Sequence, residues 1–244
     1  MRRLTLIFLT ILFIGLPFSL VVIKPVYAQS AQTTTNSGGN VVVNTISGPT
    51  LAQKAVTRTA NSWPWYVVRG SGIVAAVSLV ILILSGVGFI TGHTFRFLEP
   101  ITAWASHRAL GIAFGVSILI HMTGLLFDKY VPFNLLSILV PWSSTYKPVI
   151  IFGVNFGSLY VSLGVLAFYM VAIITVYSLL WIDKKPYSWK LTHLMSYLVF
   201  VFVFIHALYL GTDLAGGLLR LIWIVMGIVV SLAIFIRLWR ARTI

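Results

Sequence analysis

The sequence predicts an all-α integral membrane protein, a helical bundle of five transmembrane helices after a signal peptide, or of six if that first segment is retained. Three observations carry this. The chain is 59% hydrophobic and only 9% charged over 244 residues, with a mean hydropathy of +1.00, more apolar surface than one water-soluble core of this length can bury. Several apolar runs reach the ~20 residues that a helix rising about 1.5 Å per residue needs to cross a hydrocarbon layer of about 30 Å. None shows the alternating pattern of a barrel strand, and backbone groups that find no water in lipid must pair internally, so the runs are helices.

The N-terminus, residues 1–28, places Arg2 and Arg3 before a long apolar stretch and ends in Val26-Tyr27-Ala28 before Gln29. It reads as a signal peptide with a small-residue cleavage site, or as a first membrane helix if uncleaved. In either case the two arginines hold the start in the cytoplasm and put the residues after Ala28 outside. Residues 29–62, rich in Ser, Thr, Asn and Gly in their first half, form a flexible outer tail. Residues 63–244 form the membrane domain. Its spans are expected at Trp65–Thr91, Ala109–Phe127, Ser158–Ile182, Leu191–Leu210 and Leu218–Leu238.

Starting outside, these spans put Arg96, Arg108, Lys184, Lys185, Lys190, Arg237, Arg240 and Arg242 in the cytoplasm, against Lys129, Lys147 and Arg220 outside. That excess agrees with the positive-inside bias and makes the C-terminus cytoplasmic. It also accounts for the formal net charge of +13 through membrane topology and lipid contact, without a nucleic-acid partner. The loop Asp128–Gly157, with VPFNLLSILVPW inside it, is partly apolar and is expected on the membrane interface or over the outer end of the bundle. The absence of cysteine excludes disulfides, iron–sulfur clusters, zinc-thiolate sites and covalent haem attachment in this chain.

Four of the five histidines fall in two spans that run in the same direction. His107 and His193 sit at the cytoplasmic ends of the second and fourth spans; His121 and His206 sit toward the outside. Separations of 14 and 13 residues are ~21 Å and ~20 Å along ideal helices, so the pairs match in depth. The 14-residue spacing returns to within ~40° of one face, whereas the 13-residue spacing misses by ~140°, which tilt, local overwinding or ring orientation has to absorb. Two facing imidazoles at one depth suit a six-coordinate b-type haem, in which the macrocycle fills four iron positions and the histidines the axial two. The small residues Gly111, Ala113, Gly115 and Ser117 between the first pair suit a face that admits a flat macrocycle.

The order His107, His121, His193, His206 resembles the ferric reductase-like transmembrane domain. Ferric reductases, NADPH oxidases and the bacterial haem-binding subunit that serves periplasmic methionine-sulfoxide reductase share this domain. The resemblance covers Trp65 to about Trp239. It implies two non-covalent haems b stacked between the second and fourth spans, His107–His193 binding the cytoplasmic-side haem and His121–His206 the outer-side one. The RGSG at Arg69–Gly72 is similar to the family's pattern at the outer end of the first span; a charge at the bilayer edge is costly, so Arg69 is expected to have a partner, a propionate of the outer haem, with snorkelling to head groups as the alternative. The chain ends at RLWRARTI with no GxGxxG-bearing unit after the last span. The expected donor is therefore a separate cytosolic flavoprotein or a quinol, any flavin belonging to that partner, and the acceptor is an outer-side redox partner. The family also places an aromatic midway between the ligands; Phe200 and Phe202 lie there, beside Val199.

A rival reading makes the histidines titratable groups of a proton-conducting or transport subunit. It needs intramembrane carboxylates, and Glu99, Asp128, Asp183 and Asp213 all fall in loops or at span ends. Asp128 and Asp213 read as solvated loop charges, and His93 as an interfacial residue.

Overall fold

The computed structural model describes residues 51–128, 131 and 133–243; of residues 51–61 and 241–243 only the backbone is described. The signal segment, residues 29–50 of the tail and Lys129 lie outside these. Helix α1 runs Leu51–Thr91, α2 Pro100–Leu125, the short α3 Leu135–Leu139, α4 Leu159–Leu180, α5 Pro186–Leu194, α6 Ser196–Leu210 and α7 Gly217–Thr243. A two-residue antiparallel hairpin, β1 (Ile150–Ile151) and β2 (Val154–Asn155), precedes α4. Among the described residues five segments are long and apolar enough to cross a membrane: Ser62–Thr91, Pro100–Leu125, Leu159–Leu180, Pro186–Leu210 and Gly217–Arg240. The chain is thus a multi-pass, all-helical membrane bundle. Exposed Ile73, Val77 and Ile81 on α1, and Ile112, Val116 and Leu119 on α2, show apolar side chains turned outward, the surface that lipid contacts.

Two differences from the sequence reading have physical causes. Helix α1 begins at Leu51, so its first turns enter the stretch read as a flexible tail; LAQKAVTRTAN is made largely of good helix formers with no Gly or Pro. The second span starts at Pro100, two turns earlier than expected, because Pro100 occupies the first helical turn behind Glu99, where its missing N–H costs no helical bond.

The helices pack as two antiparallel hairpins, α1 with α2 and α4 with α6, with α7 against α1 and α6. Their shared core includes Val80, Phe114, Val199, Phe200, Phe204, Val230 and Ile234. The fourth span is not one continuous helix. It is interrupted at Met195, whose N–H bonds to the Thr192 carbonyl at 3.0 Å. Such a three-residue closure turns the chain by about 120° per residue instead of about 100°. The interruption lies between His193 and His206 and overwinds the chain there by about 60°, which takes up part of the ~140° that their 13-residue spacing misses by; ring orientation accounts for the rest.

Candidate functional site: two levels of paired histidines

The structure brings the four histidines together in the expected couples. The rings of His107 and His193 have centroids 6.2 Å apart, inclined at 45°. Those of His121 and His206 are 6.4 Å apart, inclined at 76°. Helices α2 and α6 themselves make little backbone contact, so the imidazoles meet across a gap between the two hairpins. With a ring radius of about 1.1 Å, nitrogens turned toward each other along the line of centres would be about 4 Å apart at either level, too far for an N–H···N bond. About 4 Å is also the sum of two metal–imidazole bonds of about 2 Å each.

Three of the rings are held by the helix beside them. At one level the His121 Nδ1–H donates to the Val68 carbonyl at 2.9 Å, and the His206 Nδ1–H to the Tyr160 carbonyl at 2.8 Å. A carbonyl only accepts, so Nδ1 carries the proton in both and Nε2 keeps its lone pair. At the other level His107 Nδ1 lies 2.9 Å from Ser85 Oγ. That hydroxyl spends its own proton on the Leu82 carbonyl at 3.0 Å, so it accepts from His107 and fixes the same tautomer. His193 differs: its Nδ1 is buried with no hydrogen-bond partner, and the ring rests near Trp189 at 5.3 Å.

A glycine accompanies each of the three anchors. A Cβ on Gly72 would lie 3.2 Å from His121 Nδ1, one on Gly164 2.6 Å from His206 Nδ1, and one on Gly86 3.7 Å from His107 Cε1. Each glycine stands four residues after the carbonyl that terminates the anchor: Val68, Tyr160 and Leu82 respectively. In a helix residue i+4 sits over the carbonyl of residue i, so a missing side chain there opens the carbonyl to an incoming ring. The antiparallel pairing of α1 and α2 explains the register. Ser71-Gly72 and Ser85-Gly86 are 14 residues apart, as are His107 and His121, and Gly124 packs against Val68 in the same alignment. Of these supporting residues only Gly72 was touched on from the sequence, as part of RGSG and not as an opening for His121, although the repeated Ser-Gly at the ligand spacing was a readable signal.

On α2 between His107 and His121, a Cβ on Gly111 or Gly115 would meet nothing within 4 Å. Midway between the levels lie Phe114 on α2 and Phe200 on α6, both buried in the common core. Of the midway aromatics expected from the sequence, Phe200 is 1% exposed, whereas Phe202 is only partly buried at the edge of that core. Phe114 was not anticipated. Among the described residues no group of three or more His, Cys, Asp or Glu side chains gathers. An ion held by side chains alone has too few ligands here, whereas a macrocycle with four nitrogens of its own needs only two.

Arg69 does have a partner, and it is protein. Its Nε donates to Asp213 Oδ2 at 2.8 Å, a second N–H reaches Oδ1, and the guanidinium lies 4.0 Å over the Trp65 ring. Asp213, read as a solvated loop charge, is therefore the counter-ion that ties α1 to the turn between α6 and α7. At the opposite end Arg237 donates to the Tyr197 hydroxyl and sits over its ring at 5.1 Å. His93 contacts Thr91 at 3.1 Å at the exposed end of α1 and joins neither level. Comparison with known proteins returns no matching family model, no matching curated protein and no matching solved structure.

Proposed function

We propose that the chain is a transmembrane b-type cytochrome of the ferric reductase-like kind, with His107–His193 and His121–His206 as the axial ligands of two haems. The observation that carries this is the pair of ring separations, 6.2 and 6.4 Å, which would let each couple of imidazoles hold one haem between them, with bonds of about 2 Å from each ring. A bound haem b supplies a one-electron carrier with no open iron position, which favours electron transfer over oxygen binding. The chain's own part is to hold the imidazoles. Val68, Tyr160 and Ser85 fix ring orientation and tautomer, an arrangement that also raises ligand basicity. Phe114, Phe200 and the surrounding core keep water from the space between the levels. Arg69, with two of its five N–H groups engaged by Asp213, retains donors for an acidic group beside His121.

The excess of basic residues at the His107/His193 end supports a cytoplasmic position for that end, with the N-terminal tail outside and the C-terminus inside. Electrons then enter from a separate flavoprotein or a quinol and leave to an outer-side acceptor. Detergent-purified protein supplied with haem is expected to show the sharp reduced α-band of low-spin haem b. Replacing His121 by Ala should remove one haem and leave the other. A colourless preparation sinks the reading.

A further inference from the structure

The segment between α2 and α4 contains the apolar stretch NLLSILV, Asn134–Val140, and the structure shows how it lies against α4. The Tyr169 hydroxyl donates to the Leu139 carbonyl at 2.8 Å. The Trp142 N–H donates to Ser162 Oγ at 2.7 Å, and Ser158 Oγ donates to the Tyr146 carbonyl at 2.5 Å. Read along α4, these contacts form a ladder: Tyr146 at the helix start, Trp142 about one turn down, and Leu139 deeper. The phenol leans toward the helix N-terminus, as helical side chains do, which puts Leu139 between one and two turns below the start. Helix α4 has 22 residues, about 33 Å against a hydrocarbon core of about 30 Å. A helix of that length laid across the hydrocarbon would start at its edge, which would put Leu139 inside it.

The segment is built for that place. Irregular backbone at membrane depth is tolerated only where its polar groups are satisfied. Asn134 and Ser137 cap each other reciprocally. Ser143 Oγ lies within hydrogen-bond distance of the carbonyls of Leu136 and Val140, at 2.6 and 2.7 Å, and Tyr169 takes that of Leu139. Ser137 and Ile138 turn inward, while Leu135, Leu136, Leu139 and Val140 face outward, Leu136 being 65% exposed. Lys147 is the one charged residue from Phe133 to Gly157, and it follows Tyr146 at the top of the ladder.

We propose that Asn134–Val140 is a re-entrant segment whose outward leucines contact acyl chains of the leaflet at the His121/His206 end. This holds whether or not haem is bound. The chain has no cysteine, so single nitroxide labels are clean. Full-length protein carrying Leu136→Cys, labelled and placed in vesicles of phosphatidylcholine with phosphatidylglycerol, should collide with dissolved oxygen more than with a water-soluble nickel chelate. Its ratio should match that of Ile173→Cys on the outward face of α4, and Thr145→Cys should favour nickel. Leu135→Cys gives a second reading if the first variant folds poorly. Preferential nickel access at both leucines overturns the proposal. So does dipolar broadening that disappears on dilution with unlabelled protein, which would make the occupant a second copy.

Discussion

The two histidine levels have the same spacing and unequal support. Around His121 and His206 both Nδ1–H groups end on main-chain carbonyls, each opened by a glycine on the neighbouring helix. Around His107 and His193 one ring leans on a hydroxyl that passes its own proton onward, and the other has a buried Nδ1 with no partner. Backbone acceptors move only if a helix moves, so the first level is rigid where the second depends on one rotatable side chain. The difference teaches that depth-matched ligands do not make equivalent sites; the neighbouring helices, α1 and α4, decide how each imidazole is oriented and how basic it is.

The largest expected effect comes from closing a glycine window. In Gly164→Ala the new Cβ would lie 2.6 Å from His206 Nδ1, closer than the two can stand, so the ring is expected to leave the Tyr160 carbonyl. Haem content per chain, measured by haemochromogen absorbance, should fall from two to one. Gly72→Ala, at 3.2 Å from His121, asks for a shift of only a few tenths of an ångström and should weaken retention without abolishing it. Gly111→Ala, which meets nothing, should leave both haems. An unchanged content in Gly164→Ala would show that the carbonyl anchor does not position the ligand.

A smaller effect tests the inequality itself. A donated Nδ1–H makes an imidazole a better donor to ferric iron and lowers the midpoint potential. The His121/His206 level, with two such bonds to carbonyls, should therefore titrate below the His107/His193 level. Spectroelectrochemical titration of the His107→Ala and His121→Ala proteins separates the two values. The expected gap is on the order of 59 mV, the step that a tenfold preference between iron states makes for one electron. Ser85→Ala, which strips His107 of its acceptor, should raise the upper value further and widen the gap, whereas Ser85→Thr should leave it in place. Coincident midpoints in the two single-site proteins would remove the distinction.

How much of the site was legible in the sequence depends on the range of the interactions that build each feature. The couples His107–His193 and His121–His206 needed only position within two parallel apolar runs, because helical rise converts residue count into depth. The angular misfit of the 13-residue spacing was readable as a misfit, but no Gly or Pro in THLMSY marks Met195 as the place where the helix tightens. The anchors required the α1–α2 register, which is a tertiary fact, and the Ser-Gly repeat only hinted at it. Arg69 and Asp213 are 144 residues apart, so nothing local could pair them; the expectation that a cation at a span end has a partner was sound, while the partner's identity was not available from spacing.

That pair provides the finest probe of the comparison. Each level has an arginine near its end: Arg69 with a carboxylate to neutralise it, Arg237 with the hydroxyl and ring of Tyr197. An uncompensated cation favours the reduced, less positive iron, so this asymmetry acts in the same direction as the Nδ1–H bonds and adds to the gap. Asp213→Asn leaves Arg69 unneutralised beside the His121/His206 level and should raise that level's midpoint toward the other. The side chains are 32% and 20% exposed, so water and salt screen the charge, and the shift should be a fraction of ~59 mV, smaller at high ionic strength. Reduced thermal stability without any change in midpoint would make the ion pair a strut between α1 and the α6–α7 turn, and leave the inequality to the histidine anchors alone.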